Sequence, residues 1–251
     1  MKFIEPNWPA PDHVIAFSTT RVGGHSRGSY QGLNIAHHVG DDSESVALNR
    51  KILCAELPPG TAIQWLAQEH GCKVVAATGS GEIPCADSSW TNVAGIACAV
   101  MTADCLPVLF CSKGGDVVAS AHAGWRGLGL GVLELCVAEM AVDPSRLMAW
   151  MGPAIGPAAF EVGEEVRGLF LSNSPTGDRI LVEHCFREQK DKPGYFFADL
   201  YALASIRLNA IGVSQLYGGG LCTFSDSAHF YSYRRDGNTG RMATIITIGP
   251  T

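Results

Sequence analysis

The chain has 251 residues, enough for one large domain, and 47% hydrophobic against 17% charged composition predicts a substantial buried core. A formal charge of −6 with no run of Lys or Arg excludes a nucleic-acid groove or an anionic membrane surface, both of which need concentrated positive charge, so the expected partner is a small molecule. The start MKFIEPNWPAPD has no apolar core of signal-peptide length, and no later run reaches the roughly 18 residues that cross a bilayer; a cytoplasmic protein is expected. Nine cysteines form no C-x-x-C pair, and Cys98 and Cys136 lie inside apolar stretches where Cys acts as a small hydrophobe, so no disulfides are expected.

In chain order, residues 15–40 come first, with glycines at 23, 24, 28, 32 and 40 and Arg21, Ser26, Tyr30 and Asn34 between them. This suits a long loop whose backbone approaches something closely. A helix capped by Asp41 or Asp42 follows through SESVALNRKILCAEL, with Val46, Leu53, Cys54 and Leu57 at helical spacing. Arg50 shares that apolar face, and an inward Arg needs either an internal carboxylate or an anion in a pocket. TAIQWLAQEHG reads as a strand whose period of two sets Gln68 and His70 on one face and Glu69 on the other.

IACAVMTADC is expected to be a buried strand ending in Asp104 and Cys105, with Asp104 on the face opposite Cys105. PVLFCSK and VVASAHAG form a predicted hairpin turning on Gly114-Gly115-Asp116. GLGLGVLELCVAEMA reads as one helix, LMAWMGPAIGP as another buried strand, and a helix is expected around 164–171. Residues 172–194 read as a polar surface excursion, and Asp199 as the cap of LYALASIRLNAIG. HFYSYRRDGNTGRMATIITIG predicts two strands joined at a solvated basic tip carrying Arg234, Arg235 and Arg241. No repeat or linker interrupts the chain, which predicts one mixed α/β domain over residues 1–251.

The chemistry gathers where apolar strands end in polar groups. His70, Cys105 and His122 come from three predicted strand ends, an arrangement able to bind Zn²⁺ with three protein ligands and leave a fourth position open. The same atoms serve a competing chemistry, in which His122 deprotonates Cys105 for attack on an acyl or amidine carbon while Asp104 or Gln68 orients the groups. Copper oxidation fits less well, because eight histidines without a His-x-His pair are too dispersed for a multi-copper cluster.

Read together, TTRVGGHSRGSYQGLNIAHHVGDD, NR, WLAQEHG, MTADCLPVLF, HAGWRGL, GPAIGP and FYSYRRDGNTGR resemble the YfiH family, also called the polyphenol oxidase or laccase-domain family. The blocks occur in order over nearly the whole chain. The resemblance implies an α+β fold, a mixed α/β layered sandwich of the cysteine-hydrolase-like (CNF/YfiH-like) type, and a zinc centre of His70, Cys105 and His122. It implies phosphorolysis of adenosine, inosine, guanosine and methylthioadenosine to base plus ribose 1-phosphate, and deamination of adenosine. Purine nucleoside and phosphate are then the partners, with Arg50 as phosphate clamp and Asn34, Asn49, Gln68 and Arg21 as substrate-binding candidates. Editing of peptidoglycan precursors by amide hydrolysis and laccase-like phenol oxidation are further activities the resemblance implies. A non-catalytic alternative is a ligand-binding regulatory module that keeps the pocket. Where the family pattern has Gln-Val-His-Gly, this chain has Gln68-Glu69-His70-Gly71; the strand period turns Glu69 outward and leaves His70 free to ligate.

Overall fold

A computed structural model describes residues 3–250. The first third contains β1 (Phe3–Ile4), β2 (Val14–Thr19), α1 (Ser43–Ala55), β3 (Ala62–Gln64), β4 (Val74–Ala76) and β5 (Ser88–Thr91). The centre contains β6 (Ile96–Thr102), β7 (Leu106–Ser112), β8 (Val118–Ala123), α2 (Trp125–Leu130), α3 (Val132–Glu139) and β9 (Leu147–Met151). The remainder contains β10 (Glu161–Gly163), α4 (Glu164–Ser172), α5 (Arg179–His184), β11 (Phe186–Glu188), β12 (Tyr195–Ala198), α6 (Leu200–Ala210), β13 (Gln215–Gly218), α7 (Tyr233–Asp236) and β14 (Met242–Ile248).

These strands form a five-stranded sheet, β1-β2-β14-β6-β3, a six-stranded sheet, β13-β9-β7-β8-β5-β4, and a small sheet, β10-β12-β11. Strand periodicity shows how the large sheets stack. Ala97, Ala99, Ala243 and Ile245 pack with Leu33, Ile35 and Leu53 on the outer side of the five-stranded sheet. Their alternates Cys98, Ile246 and Ile248 meet Leu109, Cys111, Val118, Met148 and Trp150 of the six-stranded sheet. The opposite face of that second sheet, through Val108, Phe110, Ala119 and Ala121, is covered by α2, α3, α4 and α6. A mixed α/β arrangement of packed layers results. Buried on both faces, β7 is apolar from Leu106 to Cys111 rather than alternating.

The β7–β8 hairpin forms as expected, with Leu106 opposite Ala123 and Cys111 opposite Val118. Asp42 caps α1 by accepting from the Ser45 N–H, and Asp199 caps α6 by accepting from Ala202. Four expectations change. The strand expected over TAIQWLAQEHG stops at Gln64, and His70 sits in a turn with φ 59°. The helix expected after His122 is two helices, because Gly131 at φ 101° breaks the hydrogen-bond run. The 172–194 excursion contains α5 and β11. The expected C-terminal hairpin has only its second strand; α7 replaces the first, started by Ser232 accepting from the Arg235 N–H. No helix among the described residues is long and apolar enough to cross a membrane.

Candidate metal centre and its cavity

The ends of β6, β7 and β8 converge on one cavity of about 480 Å³. Cys105 lies in the tight connection between β6 and β7, directly after Asp104, whose φ of 91° is unusual for a residue with a Cβ. The Asp104 carboxylate sustains that backbone. It accepts from Thr223 Oγ1 at 2.6 Å, Ser232 Oγ at 3.0 Å and the Arg234 N–H at 2.6 Å, tying the β6–β7 turn to the start of α7. Asp104 is therefore structural support for Cys105. His122 is the penultimate residue of β8 and is buried, whereas His70 is exposed on its turn.

The ligand atoms of His70, Cys105 and His122 all lie within 4.8 Å of one another, and no other such trio of His, Cys, Asp or Glu occurs among the described residues. Cys105 Sγ is 3.7 Å from His70 Nε2. Tetrahedral zinc with ordinary Zn–S and Zn–N bonds separates sulfur and nitrogen by about 3.6 Å, so this pair is spaced for the ion. Gly124 makes the room: a Cβ there would stand 3.0 Å from both Cys105 Sγ and His70 Cδ2. The donor set and spacing fit a metal ion.

One carboxylate that sequence reasoning missed orients two of the three ligands. Asp87 Oδ1 lies 2.8 Å from His122 Nδ1, which assigns the proton to Nδ1 and leaves Nε2 as the donor atom. The same carboxylate accepts from the backbone N–H groups of Glu69, His70 and Gly71 at 3.2, 2.9 and 2.7 Å, which holds His70 in its left-handed turn. Burial raises the Asp87 carboxyl, but the His122 ring and the turn N–H groups outweigh it and hold it below the usual carboxylate range. Burial likewise pushes the Cys105 thiol up, yet the charge of His122 and the bond to it reverse the effect and bring the thiol down to about 6. His122 moves the opposite way: burial lowers it, and the Cys105 thiolate with Asp87 more than compensates. In PCADSSW nothing local distinguishes Asp87 from a turn residue; its role arises because its own carbonyl accepts the His122 N–H at 2.7 Å, extending the β5–β8 pairing.

Gln68 reaches the cavity, but both ends of its amide are occupied: Nε2 donates to Met101 O and Oε1 accepts from Met101 N, each at 2.8 Å. Glu69 is exposed, as expected, although a turn rather than strand alternation turns it away. Arg50, Asn34, Asn49 and Arg21 are not brought to the cavity wall. Arg50 meets neither a carboxylate nor the cavity; its Nε donates to Ile35 O at 2.9 Å and its guanidinium lies 4.2 Å from the centre of the Trp65 ring. Asn34 and Asn49 are fully buried and knit the glycine-rich loop together. Asn49 Oδ1 accepts from the His25 N–H and its Nδ2 donates to Ser26 Oγ and Asn34 O, while Asn34 Oδ1 accepts from the N–H groups of Ala36 and Arg241. Arg21 stacks over Tyr231 and lines a separate open pocket with the loop. The cavity instead receives Arg234 and Arg241, which the sequence placed at a solvated tip, with Trp125, Phe160 and Tyr233 as aromatic lining.

Residues 15–249 match the family model described as multi-copper polyphenol oxidoreductase laccase. A purine nucleoside phosphorylase of Pseudomonas aeruginosa, PA4543, is 48% identical over 97% of this chain and 97% of its own length. The chain belongs to the YfiH family. The Escherichia coli purine nucleoside phosphorylase YfiH is likewise 48% identical, over 98% of both chains. Among solved structures, the Neisseria meningitidis protein NMB0706 superposes with a TM-score of 0.92 at 46% identity, covering all of both chains. YlmD of Geobacillus stearothermophilus gives 0.88 at 31% identity, over all of this chain and 97% of its own. In this YfiH-family member the His-Cys-His trio thus sits in a fold shared over the whole chain with the Neisseria and Geobacillus structures.

Proposed function

We propose that the chain is a zinc-dependent purine nucleoside phosphorylase, converting adenosine, inosine, guanosine and methylthioadenosine with phosphate to base and ribose 1-phosphate. The observation that carries this reading is the cavity itself: a three-ligand trio at one wall, aromatic rings able to cover a purine, and two arginines at the same opening. The names of the full-length relatives support the same substrate class. Zinc is favoured because one sulfur and two imidazole donors leave a fourth position open, and a single trio suits one ion better than a multi-copper cluster. Zinc held there supplies a Lewis acid able to polarise a ring nitrogen. Asp87 fixes the proton of His122 on Nδ1 and the turn that carries His70, while Trp125 and Phe160 exclude water around the base. Deamination of adenosine belongs to the same proposal, supported by the open position of the trio.

A second reading has its own support: Asp87, His122 and Cys105 form a relay in which a lowered thiol faces an imidazole oriented by a carboxylate, as a cysteine amide hydrolase of the cysteine-hydrolase-like kind requires. Metal-loaded and chelator-treated protein incubated with each nucleoside, with and without phosphate, separates the two. Ribose 1-phosphate formed only with phosphate, and lost with the metal, is the expected result. Formation of inosine alone from adenosine would remove the phosphorylase assignment, and amide hydrolysis that survives chelation would favour the thiol enzyme.

A further inference from the structure

The cavity holds more positive charge than its own carboxylates answer. Asp104 is the only carboxylate on its wall among the described residues, and both of its oxygens already accept hydrogen bonds from Thr223, Ser232 and the Arg234 backbone. Neither Arg234 nor Arg241 forms an ion pair within 4.0 Å among the described residues; Arg235, adjacent to Arg234, is paired with Asp236 at 2.7 Å and donates to three backbone carbonyls. Each cavity arginine is instead anchored by one nitrogen. Arg241 Nη1 donates to the carbonyls of Thr239 and Gly240 at 2.7 and 3.0 Å, leaving Nε and Nη2 without a protein acceptor among the described residues. Arg234 Nη1 donates to Glu161 O at 2.7 Å, and its guanidinium lies 5.4 Å from the centre of the Phe160 ring. The Glu161 carboxylate is itself held by Gln189 and Lys192. Asn34 fixes the Arg241 backbone from behind, and Asp104 fixes that of Arg234.

Two positioned guanidinium forks without an ion-pair partner among the described residues, Arg241 half-buried and Arg234 exposed at the rim, call for an anion with several oxygens, because a guanidinium binds oxyanions through parallel N–H bonds that a point charge does not reproduce. We propose that Arg241 and Arg234 form the inorganic phosphate subsite of this enzyme, in the role that the sequence assigned to Arg50. The inference rests on the nucleoside phosphorylase reading and names how that reaction obtains its second substrate. In the reaction, an oxygen of hydrogen phosphate bonds to C1′ of the ribose, the C1′–N9 bond breaks with its electron pair going to the purine, and the phosphate's proton passes to the departing base. The products are free base and ribose 1-phosphate.

The test uses the metal-loaded full chain and its Arg241→Met, Arg234→Met and Arg241→Lys variants, with folding checked by thermal melting. KM for phosphate is expected to rise at least about 10-fold in each Met variant, with KM for inosine changed less than about threefold, since of the two substrates only the anion loses charge-assisted bonds. Arg241→Lys, which keeps the charge and loses the fork, is expected between wild type and Met and covers the case in which Met misfolds. A KM for phosphate within twofold of wild type in folded Arg241 and Arg234 variants, with phosphorolysis intact, overturns the subsite and leaves the enzyme assignment standing. Direct titration of phosphate by calorimetry separates the converse failure: phosphate binding that depends on Arg241 without any ribose 1-phosphate keeps the subsite and sinks the phosphorylase reading. A parallel titration with inosine 5′-monophosphate distinguishes the source of the anion, because Arg241-dependent binding of the nucleotide with no response to inorganic phosphate overturns the proposal.

Discussion

Two openings of this molecule invite comparison: the glycine-rich loop pocket around residues 21–32 and the cavity at the ends of β6, β7 and β8. The loop pocket is the larger, at about 890 Å³ against about 480 Å³. On its wall, the Ser26 and Arg21 side chains are nevertheless bonded into the loop's own framework. Ser26 Oγ donates to Asp41 Oδ2, Asn49 donates to Ser26 and Asn34, and Arg21 donates to the carbonyls of Ser227 and Gln31. Gly24 and Gly32 close the structure, since a Cβ on Gly24 would stand 2.5 Å from Gly32 O. In the smaller cavity the polar groups are held from behind and unanswered in front: Asp87 behind the histidines, Asp104 behind Cys105 and Arg234, Asn34 behind Arg241. A rich set of polar residues marks chemistry only where the surrounding fold leaves their reactive ends unpaired.

The comparison predicts unequal losses. Cys105→Ala or His122→Ala is expected to remove more than about nine tenths of the bound metal and with it phosphorolysis, measured by elemental analysis and product formation; retained metal in either variant would place the ion elsewhere. Asp87→Asn should weaken metal affinity by about 10- to 100-fold, read by chelator competition, because it weakens the orientation of both histidines while leaving all three donors in place. Gly124→Ala comes next: the added carbon at 3.0 Å from Cys105 Sγ and His70 Cδ2 must displace a donor, so affinity falls by about the lower end of that range. On the other side of the comparison, Asn49→Ala should lower stability by about 2–3 kcal/mol in denaturant while the inosine KM of the folded protein stays within about twofold. Arg50→Met is the mildest, costing about 1 kcal/mol through its stack on Trp65 and its bond to Ile35, with KM for phosphate unaltered. A large rise in phosphate KM for Arg50→Met would reverse the comparison.

What the sequence disclosed depended on how local the cause was. The β7–β8 hairpin and the caps Asp42 and Asp199 follow from alternation, a Gly-Gly-Asp turn and carboxylates one turn from the N–H groups that donate to them, and all three form. Cys105 and His122 were legible for the same reason, since Cys105 directly precedes β7, which pairs with the β8 strand that carries His122. His70 belongs to the trio for a reason alternation did not supply, because a left-handed turn held by Asp87 replaces the strand. Helical spacing rightly turned Arg50 inward, but only tertiary packing decides that it meets the Trp65 ring and not the cavity wall. Arg234 and Arg241 were misplaced because α7 is fixed by Asp104, 130 residues earlier for the Arg234 N–H, a contact with no local signature.

X-ray absorption at the zinc edge of the metal-loaded protein tests the central claim most directly. One sulfur at about 2.3 Å and two imidazole nitrogens at about 2.0 Å are expected, with the sulfur shell absent in Cys105→Ala. A spectrum of the wild type with no sulfur neighbour would contradict the His70–Cys105–His122 centre.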